Sequence, residues 1–162
     1  MGLKEDLGKY GSIGIDSCVF IYLIENNPEF ADFAEFVVSA VTEGRVAGIA
    51  STVTLMEVLV KPLRENNAEL AALYEVMLKG MPNLSMNSVS VPIALKAAEI
   101  RAKYNFKTPD SILLATTAEN GGEAFITNEP KLVKFEDLDV LILKDYAPEI
   151  QKKTQTPPNK QN

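Results

Sequence analysis

Short apolar segments ending in polar or acidic residues recur along this chain, each followed by a stretch with helical periodicity, and that alternation restricts the fold more than any other feature. IGID (13–16) precedes SCVFIYLIEN, VAGIAS (46–51) precedes TLMEVLVKPLR, and LSMNSVSV (84–91) precedes IALKAAEIRAKYN. EAFIT (123–127) and LDVLIL (138–143) read as two further strands. Strands alternating with helices make an α/β architecture with a parallel sheet, because each crossover lays a helix on a sheet face. Ligands bind such sheets beyond the carboxyl ends of the strands, so candidate chemistry is sought in the residues that follow them.

Local signals set the expected helix ends. Asn27 and Pro28 read as N-cap and N1 of a helix through Glu43, with Phe30, Phe33, Val37 and Val41 on its core face and Gly44 as its stop. Thr52 reads as the cap of the next helix, which Pro62 kinks or ends near its last turn. A helix over about 67–80 closes at Gly80, and Pro92 opens another whose buried face carries Ile93, Ala97, Ile100 and Tyr104. In TPDSILLATTAENGG, Thr108 is the expected cap, Pro109 takes N1, Asp110 falls at N2, and Gly121-Gly122 terminates the helix.

With 162 residues the chain suits one domain, expected over 1–146, followed by a polar, disordered tail over 147–162. That tail carries Lys152, Lys153 and Lys160 against Glu149 and reads as a mildly basic appendage. Hydrophobic residues make up 46% and charged residues 23%, a globular balance. No apolar run approaches the roughly 20 residues of a membrane span. The N-terminal MGLKEDLGKYGS has no apolar core of a signal peptide, so a soluble, cytoplasmic protein is expected. The single cysteine, Cys18, lies in an apolar stretch and reads as packing. There is no histidine, which excludes Ser-His-Asp and Cys-His catalysis and leaves hydrolysis to carboxylates, metal, Lys or Tyr. A net charge of −6 opposes bulk coating of nucleic acid, although a bound cation would neutralise part of an acidic cluster.

Four acids stand out by placement. Asp16 ends the first strand, beside Ser17, and serves either as a helix cap or as a ligand at the carboxyl edge. Glu57, among apolar neighbours in TLMEVLV, is either an outward glutamate or a half-buried carboxylate that needs a cationic partner. Asp110 suits a helix N-terminus on dipole grounds alone, and also points to the same edge. Glu129, after Thr127 and Asn128 in ITNEP, is either part of a turn or a fourth acid. Lys61, Arg101, Lys107 and Lys131 flank these segments as possible RNA contacts or ordinary surface charges.

Taken in order, IGIDSCVFIYLI, TLMEVL, TPDSILLATTAENGG and ITNEPKL resemble the PIN domain across about residues 12–143. The resemblance implies a three-layer α/β/α sandwich with a five-stranded parallel sheet in the order 3-2-1-4-5. It also implies Mg²⁺ or Mn²⁺ in an acidic pocket and endoribonuclease activity on single-stranded RNA. Many compact members are VapC-type toxins, which implies a small antitoxin partner and a homodimer. Position by position, Asp16, Glu57 and Asp110 match the family's regular acids, and Glu129 stands where an Asp is usual, with Ser17, Thr127 and Asn128 as supporting polar groups. The substitution at Glu129 leaves a second reading, a binding module for RNA or protein with weak or no turnover. A phosphotransferase with Asp16 as nucleophile lacks the second Asp of a D-x-D motif.

Overall fold

The computed structural model describes residues 2–147, so the expected tail lies outside the described residues except for Ala147. The strands are β1 (Ser12–Ile15), β2 (Ala47–Ser51), β3 (Leu84–Asn87), β4 (Ala124–Thr127) and β5 (Asp139–Ile142). They form one sheet in the order β3-β2-β1-β4-β5, and every neighbouring pair is parallel. The helices are α1 (Leu3–Leu7), α2 (Ser17–Ile24), α3 (Ala31–Thr42), α4 (Thr52–Arg64), α5 (Ala68–Gly80), α6 (Val91–Tyr104) and α7 (Thr108–Glu119).

Strand side chains alternate between faces, and the two cores follow from that period. Ile13, Ile15, Ala124, Ile126 and Leu141 pack with Val19, Phe20, Val37, Val58, Tyr74 and Leu78 from α2 to α5. Phe125, one residue out of phase, packs on the other side with Ile100 of α6 and Leu113 and Leu114 of α7. Each fully buried Ile, Leu or Phe contributes about 1.5–3 kcal/mol, so a slip in register would forfeit several such terms at once. The result is the expected three-layer sandwich. On the second face, α7 lies against Gly14 of β1, where an added Cβ would sit 2.0 Å from Thr117 Oγ1 and 2.7 Å from Phe125 Cδ2.

Helix starts differ from the expected ones by one to a few residues; for α4 and α7 the cap is the last extended residue. Ser51, not Thr52, caps α4, and its hydroxyl accepts from the Val53 N–H at 3.1 Å. Lys107, not Thr108, is the N-cap of α7, because its carbonyl accepts the Ser111 N–H; Thr108 is N1, Pro109 N2 and Asp110 N3. Asn27 caps only a turn, accepting from the N–H groups of Glu29 and Phe30, and α3 begins at Ala31. β3 stops at Asn87 rather than residue 91, because its partner β2 ends there at Ser51 and Ser90 already caps α6. Pro62 lies in the last turn of α4, which ends at Arg64. Asn26, Asn66 and Asn105, with φ of 50°, 54° and 56°, turn the chain after α2, α4 and α6, a left-handed stop that Asn tolerates. No helix of the described residues is long and apolar enough to cross a membrane.

Candidate active site

Asp16 is where the strand order places it, between β1 and α2, and it is buried. It occupies the N-cap position of α2 but makes no capping bond. Its Oδ2 instead accepts from the Thr127 hydroxyl at 2.6 Å and its Oδ1 from the Ser17 hydroxyl at 3.2 Å. The Thr127 contact follows from register: Ile15 pairs with Ile126, so the next residues of β1 and β4 meet. Thr127 is completely buried and its oxygen also accepts the Glu129 N–H at 3.0 Å. The choice between cap and cleft is thus decided by sheet pairing.

An open cleft of about 320 Å³ at this edge brings Asp16 together with Glu57 of α4, Asp110 of α7 and Glu129. Glu57 is not outward: its Oε1 is buried and has no hydrogen-bond partner. Burial, then the charges of Asp16 and Asp110, push its pKa up to about 6, against a smaller opposing hydrogen bond from Ser17. Asp110 is raised by burial first and then by the charges of Asp16 and Glu129, while Lys107 acts the other way. Like charges held close in a half-dry cleft make Glu57 and Asp110 reluctant to ionise.

Glu129 has two roles. It lines the cleft, and its Oε1 accepts the Lys131 N–H at 3.3 Å as cap of a short 3-10 helix, Pro130–Lys134. The turn reading and the cleft reading of this residue therefore hold together. Asn128 also lines the cleft, but its amide is engaged structurally, donating to the Tyr22 hydroxyl at 3.1 Å and accepting the Lys144 N–H at 2.8 Å. Of the four basic candidates, Lys107 lines the cleft and Lys131 borders it. Lys61 is held by Glu25 at 3.1 Å, the Arg101 guanidinium donates to the Phe106 carbonyl, and neither side chain lines the cleft.

The PIN domain family matches residues 13–138. The chain belongs to that family. Solved PIN-fold structures agree with this assignment in their architecture. A toxin-antitoxin complex from Klebsiella pneumoniae aligns with TM-score 0.62 and 22% identity over 81% of this chain and 97% of that one. VapBC2 from Rickettsia felis, bound to a promoter DNA fragment, aligns with TM-score 0.65 and 13% identity over 81% and 98% of the two chains. The Mycobacterium tuberculosis toxin VapC20, described as cleaving the sarcin-ricin loop, aligns with TM-score 0.62 and 12% identity over 78% and 98%. No curated protein matches the sequence significantly.

Within this PIN domain the cleft also has walls that are not among the expected site residues. Cys18, Tyr22 and Pro109 line it. Cys18 and Tyr22 are four residues apart on α2, a spacing that puts both on the face next to Ser17 once Asp16 is fixed at the cleft, so the signal was present. Burial and then the charge of Asp16 push the Cys18 thiol up.

The donor set suits a hard divalent cation. All its charged groups are carboxylates, Glu57 Oε1 lacks any partner, and the repulsion that lifts Glu57 and Asp110 is the kind that a cation relieves. Among the described residues no three acidic or cysteine side chains are grouped to hold an ion directly. A cation here would be held by these carboxylates, hard oxygen donors of the kind that Mg²⁺ takes.

Proposed function

We propose that this PIN-domain protein is a Mg²⁺- or Mn²⁺-dependent endoribonuclease that cuts single-stranded RNA in the cytoplasm, and is the toxin of a toxin-antitoxin pair. The observation that carries the reading is the unpartnered Glu57 Oε1, buried in a cleft with three further carboxylates, in a chain without histidine. Asp16 and Asp110 are the principal ligands, with Glu57 and Glu129 holding outer waters or a second ion. When bound, the cation neutralises charge on the phosphate and acidifies water. Thr127 fixes the Asp16 rotamer, so that its carboxylate needs no reorganisation when substrate arrives. Glu57, which lines the cleft beside Asp16 with one carboxylate oxygen unpartnered, is the side chain placed to take a proton from an attacking water. Ser17 lies between Asp16 and Glu57 and orients whichever of them accepts.

Partner surfaces follow from exposure. Met56, Val60 and Leu63 form one stripe on α4, and Leu73 and Val76 are exposed on α5. An antitoxin laying an apolar helix on α4 and α5 would cover them and close the cleft beside Glu57. A homodimer, the common symmetric state, is part of the same proposal and is tested by light scattering.

A purified Asp16→Asn protein should lose cleavage of an unstructured RNA in Mn²⁺ while keeping its fold by circular dichroism. Equal cutting by wild type and variant sinks the scheme. The engagement of Glu129 Oε1 by the Lys131 N–H supports the alternative of a binding module without turnover. Calorimetry with Mn²⁺ separates the two: Asp110-dependent binding supports the enzyme, and no binding at millimolar metal supports the module.

A further inference from the structure

We infer that the RNA strand leaves the acidic cleft on one side only, across Lys107 and Lys131. This deepens the nuclease reading above and rests on it. A smaller notch of about 40 Å³ adjoins the cleft, and the two share Lys107, Asp110 and Glu129. The notch touches none of Asp16, Ser17, Cys18, Tyr22 or Glu57, so it extends the cleft away from α2 and α4. Lys131 lies in this extension, and both lysines are exposed. Neither forms an ion pair among the described residues, whereas Lys61, on the α4 side, is bound to Glu25.

The asymmetry matters because the cleft itself repels phosphate. Each nucleotide beyond the scissile one brings a charge that the carboxylates oppose, and only an uncommitted cation offsets it. On the α4 side the surface next to Glu57 is the exposed apolar stripe of Met56, Val60 and Leu63 and the paired Lys61, while the exposed Arg64 lies at the far end of that helix, about two turns from Glu57 and outside the cleft lining. On the Asp110 side the strand meets Lys107 at the start of α7 and then Lys131 at the start of the 3-10 helix. Arg101, though near in sequence, donates to the Phe106 carbonyl and lines an apolar groove with Val89 and Ile112, so it is not part of the track.

The test is fluorescence anisotropy with a labelled unstructured RNA of about twelve nucleotides, in Mg²⁺, over a range of KCl. All proteins carry Asp16→Asn so that the probe stays intact. Each phosphate contact on a single strand contributes about 0.7 to the slope of log K against log salt. Lys107→Ala and Lys131→Ala should each lower the slope by about that amount and together by about twice it. Lys61→Ala should leave it unchanged. Equal slopes for the parent and the Lys107 and Lys131 variants, or a fall with Lys61→Ala instead, overturn the track while leaving the nuclease reading in place. A parent that still cuts the probe refutes that reading through its assigned ligand, and a parent that binds no RNA at any salt removes both proposals.

Discussion

Replacing Glu57 by Gln isolates the electrostatic cost of assembling the acidic cleft. The carboxyl has its pKa lifted from 4.5 to about 6 in the folded protein. At about 1.36 kcal/mol per pH unit, ionising it costs about 2 kcal/mol of stability. Water reaches part of this side chain and screens the repulsion, which lowers the expected cost to about 1 kcal/mol. The sign is set by linkage: the folded state holds this proton more tightly, so stability is lost as pH rises from about 4.5 through 6 and the full cost is present at pH 7.5. Glu57→Gln removes it. In EDTA at pH 7.5 the variant should therefore melt about 2–4 °C above wild type, and the gap should close near pH 4. Adding Mn²⁺ should reverse the order, because wild type gains binding energy that the variant lacks. The assay is calorimetric or fluorescence melting across pH with and without metal. Melting temperatures that run parallel from pH 4 to 8 in EDTA would refute the view that burial and Asp16 hold this carboxylate under strain.

Three other substitutions probe the scaffold. Tyr74 is fully buried and its hydroxyl has no partner, so Tyr74→Phe should be neutral or stabilise by up to about 1–2 kcal/mol in urea unfolding; a loss above 1 kcal/mol would show a hidden bond. Thr127→Val deletes the donor to Asp16 and the acceptor of the Glu129 N–H, and should cost about 1–3 kcal/mol of stability and weaken Mn²⁺ binding; unchanged calorimetric affinity would contradict the orienting role. Gly14→Ala drives a methyl into Thr117 and Phe125, so a loss at or above the roughly 1–3 kcal/mol of overpacking is expected, partly restored by Gly14→Ala with Thr117→Ala; full stability of the single variant would show that α7 can move off the sheet freely.

The layered architecture was legible because it rests on period: alternation within strands and apolar faces on helices survive in any one sequence. Asp16, Asp110 and Glu129 converged for a related reason, since strand ends and the next helix starts share one edge of a parallel sheet, while Glu57 joins them from about a turn inside α4. What the sequence left open was decided by contacts between distant residues. Asp16 looked equally like a cap until the register of β1 with β4 brought Thr127 to its Oδ2. Glu57 taken alone looked more like a surface residue, since its helix neighbours do not reveal that Asp16 and Asp110 face it. Lys61 and Lys107 were indistinguishable by position, yet Glu25, far away in sequence, holds one and leaves the other at the cleft. Caps shifted because Ser51 and Lys107 are the last extended residues, a property of backbone torsion that residue preference alone does not fix.

The contact between Gly14 and Thr117 reaches further than the core it fills. From Thr117 to Asp110, α7 is a stiff rod of two turns, roughly 10 Å long at 1.5 Å per residue. From Gly14 the chain is sheet as far as Ile15, and Asp16 follows directly with its N–H held by the Ile126 carbonyl. The separation of the two carboxylates is therefore gauged from a point in the dry interior, where one missing methyl group decides how closely rod and sheet lie. A change there would be recorded at the solvent edge as altered affinity for a cation it never touches.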